Sequence, residues 1–269
     1  MALVIYELDE HVATITLNRP EAHNAFSRDL LRELRDVFAR FRTEDDAWVG
    51  IVTGAGGRAF SAGADLKEMS ARRARPETET DRPRPSGVSR FLARDPEDLF
   101  AGGNMWKPLI AAIDGYCLAG GLELALSCDI RVASHASVFG LTEVTRGIIP
   151  GGGGTQRLPR TIPLAAAMEI LLTGRHVSAT EALAWGLINR VVQSDKVLPT
   201  ALDIARTIAA NAPLAVRATK EAALRGLDVP FEEGMRIEAF LSQIIARTDD
   251  AREGPTAFAQ KRKPEYKGR

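Results

Sequence analysis

The 269-residue chain has only two cysteines, Cys117 and Cys128, and they form no C-x-x-C pair. That excludes a disulfide scaffold or a thiolate knuckle as the organising principle, and two buried, reduced thiols are expected instead. Its four scattered histidines show no ligand spacing, so no metal site is predicted. No run of about 18 apolar residues occurs, so no membrane span is expected. Net charge is also lacking, with 35 basic residues against 35 acidic ones. Nothing in that balance points to nucleic acid or an anionic membrane, and the basic tail from Lys261 to Arg269 reads as solvated. The opening MALVIYELDEHV has neither a basic n-region nor a long apolar h-region. A signal peptide is therefore not expected, and a cytoplasmic protein is. No G-x-S-x-G elbow is present, which argues against a serine hydrolase.

What remains is a chain long enough for one substantial core. LVIYELDEHVATITLNRP reads as a hairpin, two β-rich runs flanking Asp9-Glu10 and ended by Pro20. SRDLLRELRDVFARFR has Leu30, Leu31, Leu34, Val37, Phe38 and Phe41 at helical spacing, with Ser27 or Asp29 near its start. VGIVTGA is a short strand at 49–53, LIAAI a buried strand at 109–113, and IRVAS another, after the apolar helix LELALSCD. Residues 71–100 are rich in charge and proline; they read as a mobile surface segment, with a helix resuming near Phe91. SVFGLTEVTRGIIPGGGGTQRLPR reads as loop-rich. Beyond residue 163 the chain is helical: a helix ending at the C-cap Gly174, a capping box Ser178-x-x-Glu181, and amphipathic helices near 197–211, 213–226 and 231–247. Strand–helix units followed by helices predict an α/β core with parallel pairing and an α-helical C-terminal part. No internal sequence repeat is visible.

Two glycine motifs are decoys. GAGGRA at 54–59 fits a loose dinucleotide fingerprint, but no second strand ending in an acidic residue follows at the required distance. GGGG at 151–154 lacks the Lys-Ser/Thr of a phosphate-binding loop and reads as a tight turn.

Two other places carry chemistry. In VGIVT…SAGADLKEM and in LIAAIDGYCLAGGLELAL, a β-rich run enters a loop of small residues from which a helix starts. No capping residue stands directly before Gly63 and Ala64. Amides at a helix start are orphaned and sit in the positive end of the macrodipole. If the two starts face each other across a parallel sheet, one N–H from each, best from Ala64 and Gly120, can hold one developing oxyanion. Two ordinary tight turns would give the same pattern. Glu123 lies one turn into the second helix among Leu122, Leu124, Ala125 and Leu126. Either its side chain reaches solvent at a helix edge, or it is a buried carboxylate with the raised pKa that suits an acid or base. Glu143, between an apolar strand end and the glycine-rich loop, is a second candidate.

Taken in order, TLNRPEAHNAFS, AFSAGADLKEM, KPLIAAIDGYCLAGGLELALSCDIRVAS, FGLTEVTRGIIPGGGGTQRLPR, LTGRHVSATEALAWGLINRVV and EGPTAFAQKRKPEY resemble the enoyl-CoA hydratase/isomerase (crotonase) family over nearly the whole chain. The resemblance implies a crotonase-like α/β fold, a spiral of ββα units with a C-terminal α-helical trimerisation region. Residues 1–195 would form the spiral core with the acyl-CoA site and 196–269 the helical region. It implies a homotrimer or a dimer of trimers, no nucleic-acid or membrane partner, and no cofactor, because coenzyme A is part of the substrate. It places the oxyanion-hole amides at Ala64 and Gly120 and the two hydratase glutamates at Glu123 and Glu143. Backbone around Ala22, Ala62, Asp65 and Leu66, with Lys67, would line the coenzyme A path. Phe258 and Lys261 match positions that contact the nucleotide end, often from a neighbouring subunit. Retention of both glutamates favours a trans-2-enoyl-CoA hydratase over a Δ3,Δ2-enoyl-CoA isomerase or another acyl-CoA lyase. A non-catalytic acyl-CoA-binding or RNA-binding relative is the reading from outside enzymes.

The chain also departs from the family pattern. Ala119 stands where many hydratases have a third glycine, a change that reads as mild. Thr142 replaces a common proline, and His23 a frequent leucine. TRGIIPGGGGTQRLPR is also similar to methylglutaconyl-CoA hydratases, which keeps a branched acid substrate open.

Overall fold

The computed structural model describes residues 2–73 and 105–269 of the chain. From residue 74 on, the proline-rich stretch and the helix expected near Phe91 lie outside the described residues. The hairpin forms as predicted: β1 (Val4–Asp9) runs antiparallel to β2 (Val12–Leu17), with Asp9 opposite Val12. Its turn is Glu10-His11, one residue later than read from the sequence. Both turn residues have positive φ, 42° and 74°, which matches the twist of a two-residue hairpin. α1 (Arg28–Thr43) starts at Ser27, whose Oγ accepts from the Leu30 amide, and buries Leu30, Leu34, Phe38 and Phe41.

The spiral then follows. β3 (Val49–Gly54), β4 (Ala59–Ser61) and α2 (Leu66–Arg73) make one ββα unit. β5 (Leu109–Ile113), β6 (Tyr116–Leu118) and α3 (Gly120–Ser127) make the next. β7 (Ile130–Ser134) and β8 (Val138–Gly140) open a third, which passes through a 3-10 turn (Glu143–Arg146) to α4 (Gly154–Thr161). α4 lies in the stretch read as loop-rich; its glycine start and internal Pro159 hide its helical character from composition.

The first strand of each unit enters a six-stranded sheet of order β1-β2-β3-β5-β7-β10, where β10 is Arg190–Val192 and every pair from β2 onward is parallel. The second enters a four-stranded sheet, β4-β6-β8-β9, in which only β9 (Val177–Ser178) pairs antiparallel. Ala59 pairs with Tyr116 and Ser61 with Cys117. The chain therefore leaves β4 and β6 side by side in the same direction, and that register brings the two helix starts together.

The six-stranded sheet is buried on both faces, as parallel sheets usually are. Ala13, Ile15, Leu17, Val52, Leu109, Ala111, Ile113 and Ala133 face one cluster with α1 and α3. Alternate residues Val12, Ile51, Ile110, Ala112 and Val132 face another, covered by Val197, Ala201 and Ala205 of α7 (Val197–Ala209). Both cysteines are buried and free.

The remaining helices are α5 (Leu164–Thr173), ended by left-handed Gly174, α6 (Ala179–Ala184) with both bonds of its Ser178–Glu181 capping box, α8 (Pro213–Gly226), α9 (Phe231–Ile245) and α10 (Asp249–Ala259). Among the described residues, no helix is long and apolar enough to cross a membrane.

Candidate active site

The loop between β4 and α2 is held from one side by residues 23–26. The Ala62 amide donates to His23 O, Ser61 Oγ donates to Asn24 O, and Ser61 Oγ accepts from the Gly63 amide. Phe26 and Ala64 form a parallel bridge: the Phe26 amide donates to Gly63 O at 2.7 Å, and the Asp65 amide to Phe26 O at 3.1 Å. In such a bridge the flanked residue turns its own N–H to the other side. From residue 62 to 69, only the amides of Ala64 and Leu66 lack an acceptor among the described residues.

The helix starts at Leu66, not at Gly63, and it is capped: Asp65 Oδ1 accepts from the amides of Lys67 and Glu68 at 3.0 and 3.1 Å. Ala64 is therefore an exposed bridge residue just ahead of the cap. Its N–H owes its freedom to strand geometry rather than to a missing cap.

Across from it, the Ala119 amide donates to Gly140 O and the Glu123 amide to Ala119 O. The Gly120 amide has no acceptor among the described residues. Gly63 and Gly120 approach closely; a Cβ on Gly63 would stand 2.9 Å from the Gly120 nitrogen. The loop that carries Ala64 and the helix start that carries Gly120 thus lie against each other. Ala119 has φ 50° and ψ −126°, a conformation that glycine adopts freely and a β-carbon opposes. The substitution read as mild is a strained one.

Glu123 does not reach solvent; it is 4% exposed. Its Oε1 accepts from the amides of Gly152 and Gly154 at 2.7 and 2.8 Å. The tight GGGG turn therefore orients a carboxylate, a task its sequence did not reveal. Two amides aimed at one carboxylate oxygen stabilise negative charge there. The far end of α3 is pinned by buried Arg131, whose guanidinium donates to the carbonyls of Leu187, Ala125 and Cys128.

Glu143 opens the 3-10 turn and is also buried, at 7% exposed. Its Oε2 has no hydrogen-bond partner among the described residues. Burial pushes its pKa up to about 7, and the neighbouring charge of Glu123 adds to that; its own backbone amide and Arg146 oppose the rise. The two glutamates thus share one electrostatic site, with one oxygen awaiting a partner.

The expected coenzyme A residues Ala22, Ala62, Asp65, Leu66 and Lys67 lie along this same rim, where 22–26 meets 62–67. The Asp65 side chain is engaged by the Lys67 and Glu68 amides and by Arg19, and its backbone by Phe26 O and the Met69 amide. Phe258, 85% exposed in α10, and Lys261 beyond it have no hydrogen bond to this rim among the described residues. Among the described residues, the hydrogen bonds of α10 to other parts of the chain run to Thr248 and the C-terminal tail.

A family model described as Enoyl-CoA hydratase/isomerase matches residues 7–269. The chain is 43% identical over 265 residues to (E)-benzylidenesuccinyl-CoA hydratase of Thauera aromatica, covering 98% of this chain and 99% of that protein. It is 39% identical over 262 residues to the short-chain-enoyl-CoA hydratase of Clostridium acetobutylicum, covering 97% and 96%. A crystal structure of enoyl-CoA hydratase from Bacillus anthracis superposes with a TM-score of 0.88 at 40% identity, covering 100% of both chains.

Proposed function

The chain belongs to the enoyl-CoA hydratase/isomerase family, and on that premise we propose that it adds water reversibly, with syn geometry, to a trans-2-enoyl-CoA. The product is a 3-hydroxyacyl-CoA and the enzyme a hydro-lyase. One observation carries the choice of hydration: two buried glutamates share the site, and Oε2 of Glu143 has no partner among the described residues. Moving a double bond needs one proton carrier, whereas delivering the elements of water needs a base and an acid on the same face.

In this reading the thioester oxygen accepts hydrogen bonds from the Ala64 and Gly120 amides. They stabilise the enolate-like charge that develops as the oxygen of water bonds to C3. Glu123, fixed by the Gly152 and Gly154 amides, takes a proton from that water. Glu143, with a pKa near 7, is protonated often enough to give its proton to C2. A proton passed back from Glu123 to Glu143 resets the pair. The thioester itself activates the alkene.

We also propose that the chain assembles as a homotrimer or a dimer of trimers. Apolar Leu227, Phe231, Phe240 and Phe258 stand exposed on and beside α8, α9 and α10, as a buried contact between copies would require.

The test is turnover of crotonyl-CoA. Loss of the conjugated enoyl-thioester absorbance with gain of one water in product mass is expected. A folded protein that only moves a 3-enoyl double bond into conjugation, with no water taken up, would make it an isomerase.

A further inference from the structure

Arg19 lies outside the groups that face the reacting atoms, yet it is tied to them. Its Nη1 donates to Asp65 Oδ2 at 2.7 Å and to Ala25 O at 3.2 Å. Its own amide donates to Asn24 Oδ1 at 2.9 Å. Asn24 is fully buried and donates in turn to the carbonyls of Ala55 and Ala59. The Arg19 backbone is thus anchored through Asn24 on the β3–β4 connection, and its guanidinium reaches the residue next to Ala64.

The backbone it reaches is intrinsically soft. Ala62, Gly63 and Ala64 have little side chain to pack, and Ala64 is exposed. Around Ala64 itself, two backbone bonds to Phe26 hold the segment, and the Asp65 side chain adds a further restraint. One carboxylate oxygen of Asp65 caps α2, and the other faces Arg19. Arg19 and Asp65 are 24% and 13% exposed, so this charge-assisted bond is partly shielded from water. The Arg19 hydrogen bond is also the largest influence holding the Asp65 carboxyl below its ordinary pKa.

We propose that Arg19 is a positioning residue: through Asp65 it holds the Gly63–Ala64–Asp65 backbone so that the Ala64 N–H keeps its aim at the thioester oxygen. This rests on the oxyanion reading above. Without the guanidinium, Asp65 still caps α2 and keeps its backbone bond to Phe26, but its side chain is no longer tied to residues 19–26. The amide then wanders, and misplacement of about 1 Å costs up to roughly 100-fold in rate.

The test pairs kinetics with a spectrum. The chromophore 4-(dimethylamino)cinnamoyl-CoA absorbs further to the red when its carbonyl accepts strong hydrogen bonds, so its bound spectrum reports the aim of the two amides directly. For Arg19→Met we expect kcat for crotonyl-CoA to fall about 10- to 100-fold with KM little changed, and the red shift to shrink. Arg19→Lys should recover part of both. A full red shift in folded Arg19→Met, whether kcat is kept or lost, would overturn the proposal. If Arg19→Met does not fold, Asp65→Asn keeps the Oδ1 cap, loses the charge facing Arg19, and is judged by the same two readouts. A wild-type protein that binds the chromophore with no red shift would sink the oxyanion reading itself. A red-shifted wild type with an equally red-shifted variant would sink only the role of Arg19.

Discussion

Gly63 and Gly120 lie so close that a methyl group on Gly63 would stand 2.9 Å from the Gly120 amide nitrogen and 2.7 Å from Cβ of Ala119. Gly63 also has φ 82°, where a β-carbon is strained whatever the space. Gly63→Ala therefore has to push the two loops apart. We expect a loss of roughly 2–4 kcal/mol of stability, from overpacking and backbone strain together. In the folded fraction we expect hydration to fall on the order of 100-fold, since the amides no longer share one oxygen. Urea unfolding and crotonyl-CoA kinetics measure the two effects separately. A folded variant with near wild-type kcat would mean the two amides do not act as a pair.

Glu143 makes both stability and activity depend on pH in a defined direction. Its pKa rises from an ordinary 4.5 to about 7 in the folded chain because the carboxyl is buried. Below the lower value it is neutral in both states. As pH climbs through the folded value, the unfolded chain is already ionised, whereas the folded one must charge a buried group. Stability should fall over this window by on the order of 3 kcal/mol. Glu143→Gln should lose that fall, a difference that thermal unfolding across the range will show.

The same titration governs turnover. The active pair holds one proton in either direction, and hydration takes up no net proton. The kcat/KM of hydration and that of dehydration must therefore decline together above about pH 7. A kcat/KM that stays flat through pH 7 in both directions would remove Glu143 from the acid role.

How far the sequence could be read depends on the range of each interaction. β-rich runs, the Ser27 cap and the Ser178–Glu181 box depend on neighbours in the chain and were legible. The facing helix starts were legible as a condition, because small residues after two strands permit a close approach that only the β4–β6 register enforces. The bond from Gly152 to Glu123 spans 29 positions and that from Arg19 to Asp65 spans 46, and neither leaves a local pattern. The helix start at 66 is masked in the sequence because the cap, Asp65, follows Gly63 and Ala64 instead of preceding them. The strain at Ala119 was invisible because a side chain of one methyl says nothing about φ.

That strain can be relieved. Ala119 sits at φ 50°, ψ −126°, directly before Gly120. Glycine removes a strain of roughly 1–3 kcal/mol but adds freedom to the unfolded chain worth up to about 1 kcal/mol. Ala119→Gly should therefore stabilise the protein by about 1 kcal/mol, seen as a higher denaturation midpoint with an unchanged slope. Its red-shift assay should match wild type, because Gly63 and the Gly140 carbonyl still define where the Gly120 amide lies. Loss of stability instead would mean the Ala119 methyl packs well enough against Gly63 to outweigh its backbone.

The last prediction separates the charge of Glu123 from its placement. In Glu123→Gln the amide oxygen can still accept from Gly152 and Gly154, so the loop and the fold should persist while the base is lost. Hydration should fall about 100- to 10,000-fold with binding of a 3-hydroxyacyl-CoA kept. Gly154→Ala does the reverse. It keeps the carboxylate but adds a Cβ that would lie 3.0 Å from Glu123 Oε1 and 2.8 Å from Leu141 Cδ1. One donor on Oε1 is then displaced or lengthened, and the carboxylate turns. We expect a smaller loss, on the order of 10- to 100-fold, because a misaimed base still accepts a proton through water. Because both changes act on one step, the double variant should be no worse than Glu123→Gln alone, which a double-mutant cycle in kcat measures. Additive losses would show that the glycine turn serves the reaction by some route other than holding Glu123.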